Sequence, residues 1–135
     1  MVNQLCIAGL LQGLAEGIHF GQQAGLDTPK VMAAISQGAS QCWQKQKRAQ
    51  TMLNYKYDFS FAVAWMYKDL SYCLSEAEKL QVNLSVTKLA DEFYASLKAM
   101  GGGCWVTSSL LQALQKTLPE SAICLDFTEI GSDFC

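Results

Sequence analysis

The segment from Val2 to Gly25 predicts one long helix around which the rest of the chain must pack. Apolar side chains recur in it every three or four residues, at Leu5, Ala8, Leu11, Ala15 and Ile18. That spacing places them on one face of an α-helix, and such a face is turned toward a core. Leu10, Leu14 and Phe20 lie off this face, so we expect the helix to be buried on more than one side. Polar residues interrupt it too often for the roughly 20 apolar residues that cross a bilayer.

Five further helical patterns follow the first one. They run from Pro29 to Gln37, from Ser40 to Asn54, from Phe61 to Leu80, from Asn83 or Ser85 to Met100, and from Thr107 or Ser108 toward Pro119. The fifth pattern is predicted to turn a set of five apolar residues toward one side: Val86, Leu89, Phe93, Leu97 and Met100. Connections are short and no stretch alternates as a strand does. The sequence therefore predicts an all-α fold of about six helices packed around the long N-terminal helix.

The composition of the chain bears on which kinds of binding partner we expect. The 135 residues suffice for one domain with a real core, and the net charge of -2 gives no reason to expect a nucleic acid or a membrane as partner. The basic run from Lys45 to Arg48 fits a solvated helix face better than a nucleic-acid patch. Every Lys and Arg lies at or before Lys116, and acidic residues follow. We therefore predict a helical domain over residues 1–117 and an acidic tail, without a predicted structure, over 118–135.

The six cysteines do not indicate a metal site. They show neither the CxxC spacing nor the Cys/His spacing of a zinc ligand set, so we expect no metal. Met1 leads directly into the first helix without the basic region that begins a signal peptide. We therefore predict a cytoplasmic protein with reduced thiols.

Two places carry candidate ligand-binding residues. Asn3 and Gln4 bring amides to the first turn of the first helix, where they either cap backbone N–H groups or hold a carboxylate or hydroxyl of a small ligand. In the fourth helix, Lys68 lies in a row with Phe61, Trp65 and Tyr72, and Asp69 follows it. That lysine either reaches water and stacks on a ring, or points into a ligand cleft that the rings line.

Three ordered motifs between Val2 and Lys116 resemble the C-terminal helical domain of the β-hydroxyacid dehydrogenases. This family includes 3-hydroxyisobutyrate dehydrogenase and tartronate semialdehyde reductase, and is related to 6-phosphogluconate dehydrogenase. Its K-x-x-N-[NQ] start and A-G-x-D end of the interdomain helix match Asn3-Gln4 and Ala24 to Asp27. Its F-x(6)-K-D-L motif matches Phe61 to Leu70. Its G-x-G-x-x-D-x-S segment matches 101–108, with Val106 in place of the usual aspartate.

The resemblance implies a role for each of these residues. Asn3 and Gln4 correspond to substrate-binding amides, Lys68 to a lysine that reaches the cofactor, and Asp69 to an acid that orients or neutralises that lysine. The cofactor is NAD or NADP, bound mainly by an N-terminal Rossmann domain, and the substrate is a small hydroxy acid or its semialdehyde. The family's catalytic lysine would precede Met1, so we expect no catalytic residue in this chain, and no tight cofactor binding or turnover by the chain alone.

The same resemblance implies a homodimer, because the family oligomerises through this domain. Val106 and the tail, which has no counterpart in the family, leave a second interpretation open. The chain is then a free-standing helical dimerisation or interaction module that has lost the chemistry. A dimer without nucleotide binding is expected of such a module.

Overall fold

Six α-helices and two short 3-10 helices make up residues 1–116, which are the residues that the computed structural model describes. The α-helices are α1 (Val2–Gln23), α2 (Thr28–Ile35), α3 (Trp43–Leu53), α4 (Val63–Lys79), α5 (Ser85–Ala99) and α6 (Leu110–Lys116), and the 3-10 helices are Gly102–Cys104 and Thr107–Ser109. This confirms the predicted all-α class. Within this range no helix is long and apolar enough to cross a membrane, and no group of three His, Cys, Asp or Glu side chains is placed to hold a metal. The predicted acidic tail lies outside the described residues.

Helix α1 is the centre of the bundle, since it packs against each of the other five helices. Its predicted core face is confirmed, with four side chains wholly removed from solvent: Ala8, Leu11, Ala15 and Ile18. Leu14 is buried as well. The expectation of burial was wrong for Leu10, which is 47% exposed, and for Phe20, which is 72% exposed. Leu10 lines an open groove with Met32 and Ile35 of α2, which leaves about half of its side chain in solvent.

Helix α5 is rotated relative to its predicted orientation. Its buried residues are Thr87, Ala90, Tyr94 and Leu97, whereas Val86 is 66% exposed and Leu89 is 49% exposed. The phenol of Tyr94 explains the rotation, because a buried tyrosine needs a partner for its hydroxyl. That hydroxyl donates a hydrogen bond to the backbone carbonyl of Thr107 at 3.2 Å. The prediction that Val86 and Leu89 face the core was therefore wrong.

The connector before α4 pairs with the segment before α6, a contact that the sequence did not predict. Val106 donates its backbone N–H to the carbonyl of Tyr57 at 2.8 Å, and Val63 donates to the carbonyl of Trp105 at 2.7 Å. Ala62 and Val106 form an isolated antiparallel bridge. Val106 is completely buried, so the apolar residue at the family's aspartate position fills the core here. This pairing fixes where α4 begins.

The basic run in α3 has a structural role at its last residue. The guanidinium of Arg48 lies 5.8 Å from the ring centre of Trp43 and 5.2 Å from that of Phe59. It also donates a hydrogen bond to the hydroxyl of Ser60 at 3.0 Å. Burial lowers the pKa of Arg48. The last cation of the run is therefore packed against aromatic rings of the domain.

Candidate functional site

A hydrogen bond between α1 and α4 brings three of the four predicted site residues together. The side-chain amide of Gln4 donates from Nε2 to Oδ2 of Asp69 at 2.9 Å. The amide of Asn3 donates from Nδ2 to Oε1 of Gln4, also at 2.9 Å. Nε2 of Gln4 lies 3.9 Å from the sulfur of Met66, one turn earlier on α4. The first turn of α1 and the middle of α4 therefore form one polar cluster beside the apolar core.

These contacts argue against the capping interpretation of the amides. The cap of α1 is Met1, and no side chain bonds a backbone N–H there. The amides of Asn3 and Gln4 are instead used toward each other and toward α4. Helix capping is therefore not their role in the described residues, and a role toward a ligand stays a prediction.

Lys68 lies apart from this cluster. Its side chain is exposed, and within residues 1–116 its ammonium forms no ion pair, hydrogen bond or stacking contact with a ring. Neighbouring residues of a helix point in different directions, which explains why the carboxylate of Asp69 bonds Gln4 and not this lysine. The expected pairing of Asp69 with Lys68 is therefore not found in the structure.

The aromatic row around Lys68 forms an open surface on α4. Phe61 and Trp65 meet edge to face, with ring centres 5.6 Å apart, and both Trp65 and Tyr72 are exposed. An ammonium group without a protein partner is suited to an anionic group such as a phosphate. Exposed rings beside it can stack on a planar ligand. An exposed ammonium and exposed rings thus lie side by side along this row.

A family model described as "NAD-binding of NADP-dependent 3-hydroxyisobutyrate dehydrogenase" matches residues 1–114. The chain belongs to the 3-hydroxyisobutyrate dehydrogenase family. The match extends from the first turn of α1 into α6, and so includes all three motifs and the whole polar cluster. It identifies these residues as the family's C-terminal helical domain.

Individual relatives within this family agree with that assignment. The "Uncharacterized oxidoreductase" of Shewanella frigidimarina is 53% identical over 117 residues, which are 87% of this chain and 40% of the relative. The "Probable 3-hydroxyisobutyrate dehydrogenase-like 1, mitochondrial" of Arabidopsis thaliana is 37% identical, over 86% of this chain and 35% of that protein. This chain thus spans well under half the length of these curated relatives.

A solved structure shows the same fold. The 3-hydroxyisobutyrate dehydrogenase of Salmonella typhimurium superimposes with a TM-score of 0.75 at 23% identity, covering 82% of this chain and 39% of that one. The six-helix arrangement around a long first helix is therefore that of the dehydrogenase C-terminal domain.

The F-x(6)-K-D-L motif of the family contains a signal for the Gln4–Asp69 contact. On a helical wheel, Asp69 falls at the edge of the buried stripe that contains Met66, Leu70 and Cys73, whereas Lys68 falls outside it. The stripe faces the core and α1. The two neighbouring residues of the K-D pair therefore lie on different sides of α4, and only Asp69 is near α1.

The buried thiol of Cys73 lies one turn beyond Asp69 on α4. Burial raises its pKa, the charge of Asp69 raises it further, and the amino group of Met1 acts in the opposite direction. The thiol is thus kept protonated, and a protonated thiol is a poor nucleophile. Cys73 belongs to the core of this dehydrogenase domain and adds no reactive group to the cluster.

Proposed function

We propose that residues 1–116 form the substrate-binding and subunit-contact domain of an NAD(P)-dependent dehydrogenase that acts on a small hydroxy acid or its semialdehyde. The observation that carries this proposal is the 2.9 Å hydrogen bond from Gln4 to Asp69. It orders two amides at the start of α1, where the family motif has its substrate-binding residues. Membership of the dehydrogenase family supplies the reaction class.

The roles of the residues follow from their surroundings. Asn3 is exposed beside Gln4 and offers amide groups that can orient a hydroxyl or carboxylate of the substrate. Lys68 has an unpaired ammonium within the described residues and fits the anionic part of the cofactor. When bound, the nicotinamide supplies hydride chemistry. The residues named here bind and orient the ligands.

A domain exchange tests this proposal. Residues 1–116 replace the matching segment of the Shewanella relative, whose 53% identity favours a compatible domain contact. We expect the chimera to oxidise NADH or NADPH in the presence of tartronate semialdehyde or the semialdehyde of 3-hydroxyisobutyrate. The unmodified Shewanella protein is the control for substrate choice. A folded chimera that binds the cofactor but leaves unreacted a substrate that the control reduces contradicts the proposal.

We further propose a second copy of the chain as partner, on an apolar face formed by Val86 and Leu89 of α5. Leu89 is about half exposed and Val86 more so. The face lies where α5 meets α1, because a β-carbon built on Gly9 would lie 3.6 Å from Cγ1 of Val86. Large apolar side chains that are exposed together on one side of a helix are typical of a protein interface. A homodimer covers them.

Replacing Val86 with aspartate should convert this dimer into a monomer. A carboxylate in the centre of an apolar interface loses its hydration without gaining a partner, which costs several kcal/mol. Light scattering after size-exclusion chromatography measures the change in mass. The matched control is Tyr72→Asp, which places the same charge at an exposed residue on the Lys68 side of α4. A dimer that survives Val86→Asp, or one that Tyr72→Asp disrupts, places the interface elsewhere.

The same apolar face favours one second candidate, a helical dimerisation module without chemistry. The two candidates predict different results in the domain exchange and the same result in the mass measurement. A dimer whose mass depends on Val86, together with a folded but inactive chimera, supports the module.

A further inference from the structure

The orientation of the Gln4 amide is dictated by its partner on α4. An ionised carboxylate has no proton to give and can only accept hydrogen bonds. Any hydrogen bond between Gln4 and Asp69 therefore requires that Gln4 turn its nitrogen toward the acid, as it does at 2.9 Å. The oxygen of the same amide must then point the other way.

That constraint passes on to the next amide. Oε1 of Gln4 faces Asn3, and an oxygen can be bonded only by a donor, so Asn3 must present its nitrogen. The observed 2.9 Å bond from Nδ2 of Asn3 satisfies this requirement. The carboxylate thus fixes the direction of both hydrogen bonds, and the oxygen of Asn3 and its second N–H stay unused by the cluster.

We propose that Asp69 is a positioning residue that acts through Gln4 on Asn3. It holds Asn3 so that Oδ1 is offered as a hydrogen-bond acceptor to the ligand. The group that this acceptor recognises is a hydroxyl, the group that distinguishes a hydroxy acid from the parent acid. The choice of ligand rests on the proposed function above, whereas the positioning of Asn3 rests only on the three side chains.

Replacing the carboxylate by an amide removes the constraint with little change of shape. The side chain in Asp69→Asn can either donate or accept, so the Gln4 amide can bond it in both orientations. Asn3 then has no fixed orientation either. The substitution therefore tests whether Asn3 is positioned by the direction of the two hydrogen bonds and not only by their presence.

Nuclear magnetic resonance of the 15N-labelled full chain tests this directly. The side-chain NH2 pairs of Asn3 and Gln4 are compared in the wild type, in Asp69→Asn and in the control Glu78→Gln, which neutralises an exposed carboxylate on the same helix. We expect both NH2 pairs to move or to double in Asp69→Asn and neither to change in Glu78→Gln. A folded Asp69→Asn variant in which the Asn3 pair keeps its wild-type position overturns the proposal.

A second variant keeps the proposal testable if Asp69→Asn does not fold. Gln4→Met removes the middle amide and keeps an apolar stem of similar length beside Met66. The Asn3 pair should then shift to the position of a solvent-exposed asparagine. An Asn3 pair that is unmoved by the loss of Gln4 overturns the proposal as well.

The active chimera supplies a readout that a structural role would leave unchanged. There, in the oxidation direction with NAD or NADP, Asp69→Asn should raise KM for the hydroxy acid about tenfold, the effect of losing one oriented hydrogen bond, with KM for the nicotinamide cofactor unchanged. Equal KM values before and after the substitution overturn the link to the ligand. A chimera that is inactive before any substitution refutes the proposed function, while the NMR comparison still decides the positioning of Asn3.

Discussion

Replacing Gly102 with alanine should lower the free energy of unfolding by about 3 kcal/mol, near the upper end of the usual cost of overpacking. The added β-carbon would lie 2.4 Å from a ring carbon of Trp105 and 2.9 Å from the backbone oxygen of Leu97. The tryptophan ring can shift, but the last turn of α5 carries that oxygen and cannot move without breaking helical bonds. Denaturation in urea, followed by circular dichroism, measures the change.

The adjacent glycine is the matched control for this substitution. A β-carbon on Gly103 would lie 3.9 Å from Cγ of Lys98 and 4.0 Å from Cβ of Ala64, which are ordinary contact distances. We therefore expect Gly103→Ala to change the free energy of unfolding by less than about 1 kcal/mol. If the two alanine variants are equally stable, the close approach of Gly102 to Leu97 is not a feature of the folded protein.

Replacing Asn3 with alanine in the active chimera should reduce kcat/KM by about 100-fold, the effect of removing one oriented polar group from a catalytic site. Asn3 is the exposed end of the hydrogen-bonded series that begins at Asp69. Its loss removes the group that we propose faces the substrate and leaves the core intact. Steady-state kinetics with the semialdehyde, at saturating NADH or NADPH, give the ratio.

A second asparagine serves as the reference for this loss. Asn54 ends α3 and is exposed, and its replacement by alanine should leave kcat/KM within about twofold of the starting chimera. Unfolding midpoints of both variants should agree with that of the parent. If Asn3→Ala retains full activity in a folded chimera, the substrate is oriented by other residues and the assignment of Asn3 is wrong.

The fold was predictable where apolar residues recur at regular helical spacing along one face. In α1, Leu11, Ala15 and Ile18 recur at helical spacing and are all buried. Helix α5 has apolar residues on two sides, so periodicity alone could not choose between them. The choice depends on the hydroxyl of Tyr94 and a carbonyl 13 residues away, a contact that no local pattern contains. Tertiary hydrogen bonding thus decided the rotation.

The sequence named candidate site residues but could not show which of them are in contact. Asn3 and Gln4 were candidates as amides in the first turn of α1, Lys68 as a cation in an aromatic row, and the family's motifs added Asp69. Which of them touch depends on how α1 crosses α4, and Gln4 and Asp69 are 65 residues apart in the sequence. The roles of Lys68 toward a cofactor and of Asn3 toward a substrate stay predictions that the experiments above address.

The backbone pairing of Tyr57 with Val106 has a consequence for how the domain assembles. The two residues are about 50 positions apart, and the entropy lost in joining them must be offset before α4 has a fixed starting point. Contacts between such distant segments form slowly, and usually after local helices have formed. If the helices have formed but this pairing has not, the position of α4 is not yet fixed. Asp69 on α4 then has no fixed place relative to Gln4 on α1. We therefore expect ligand recognition to be among the last properties acquired on refolding, later than most of the helical signal.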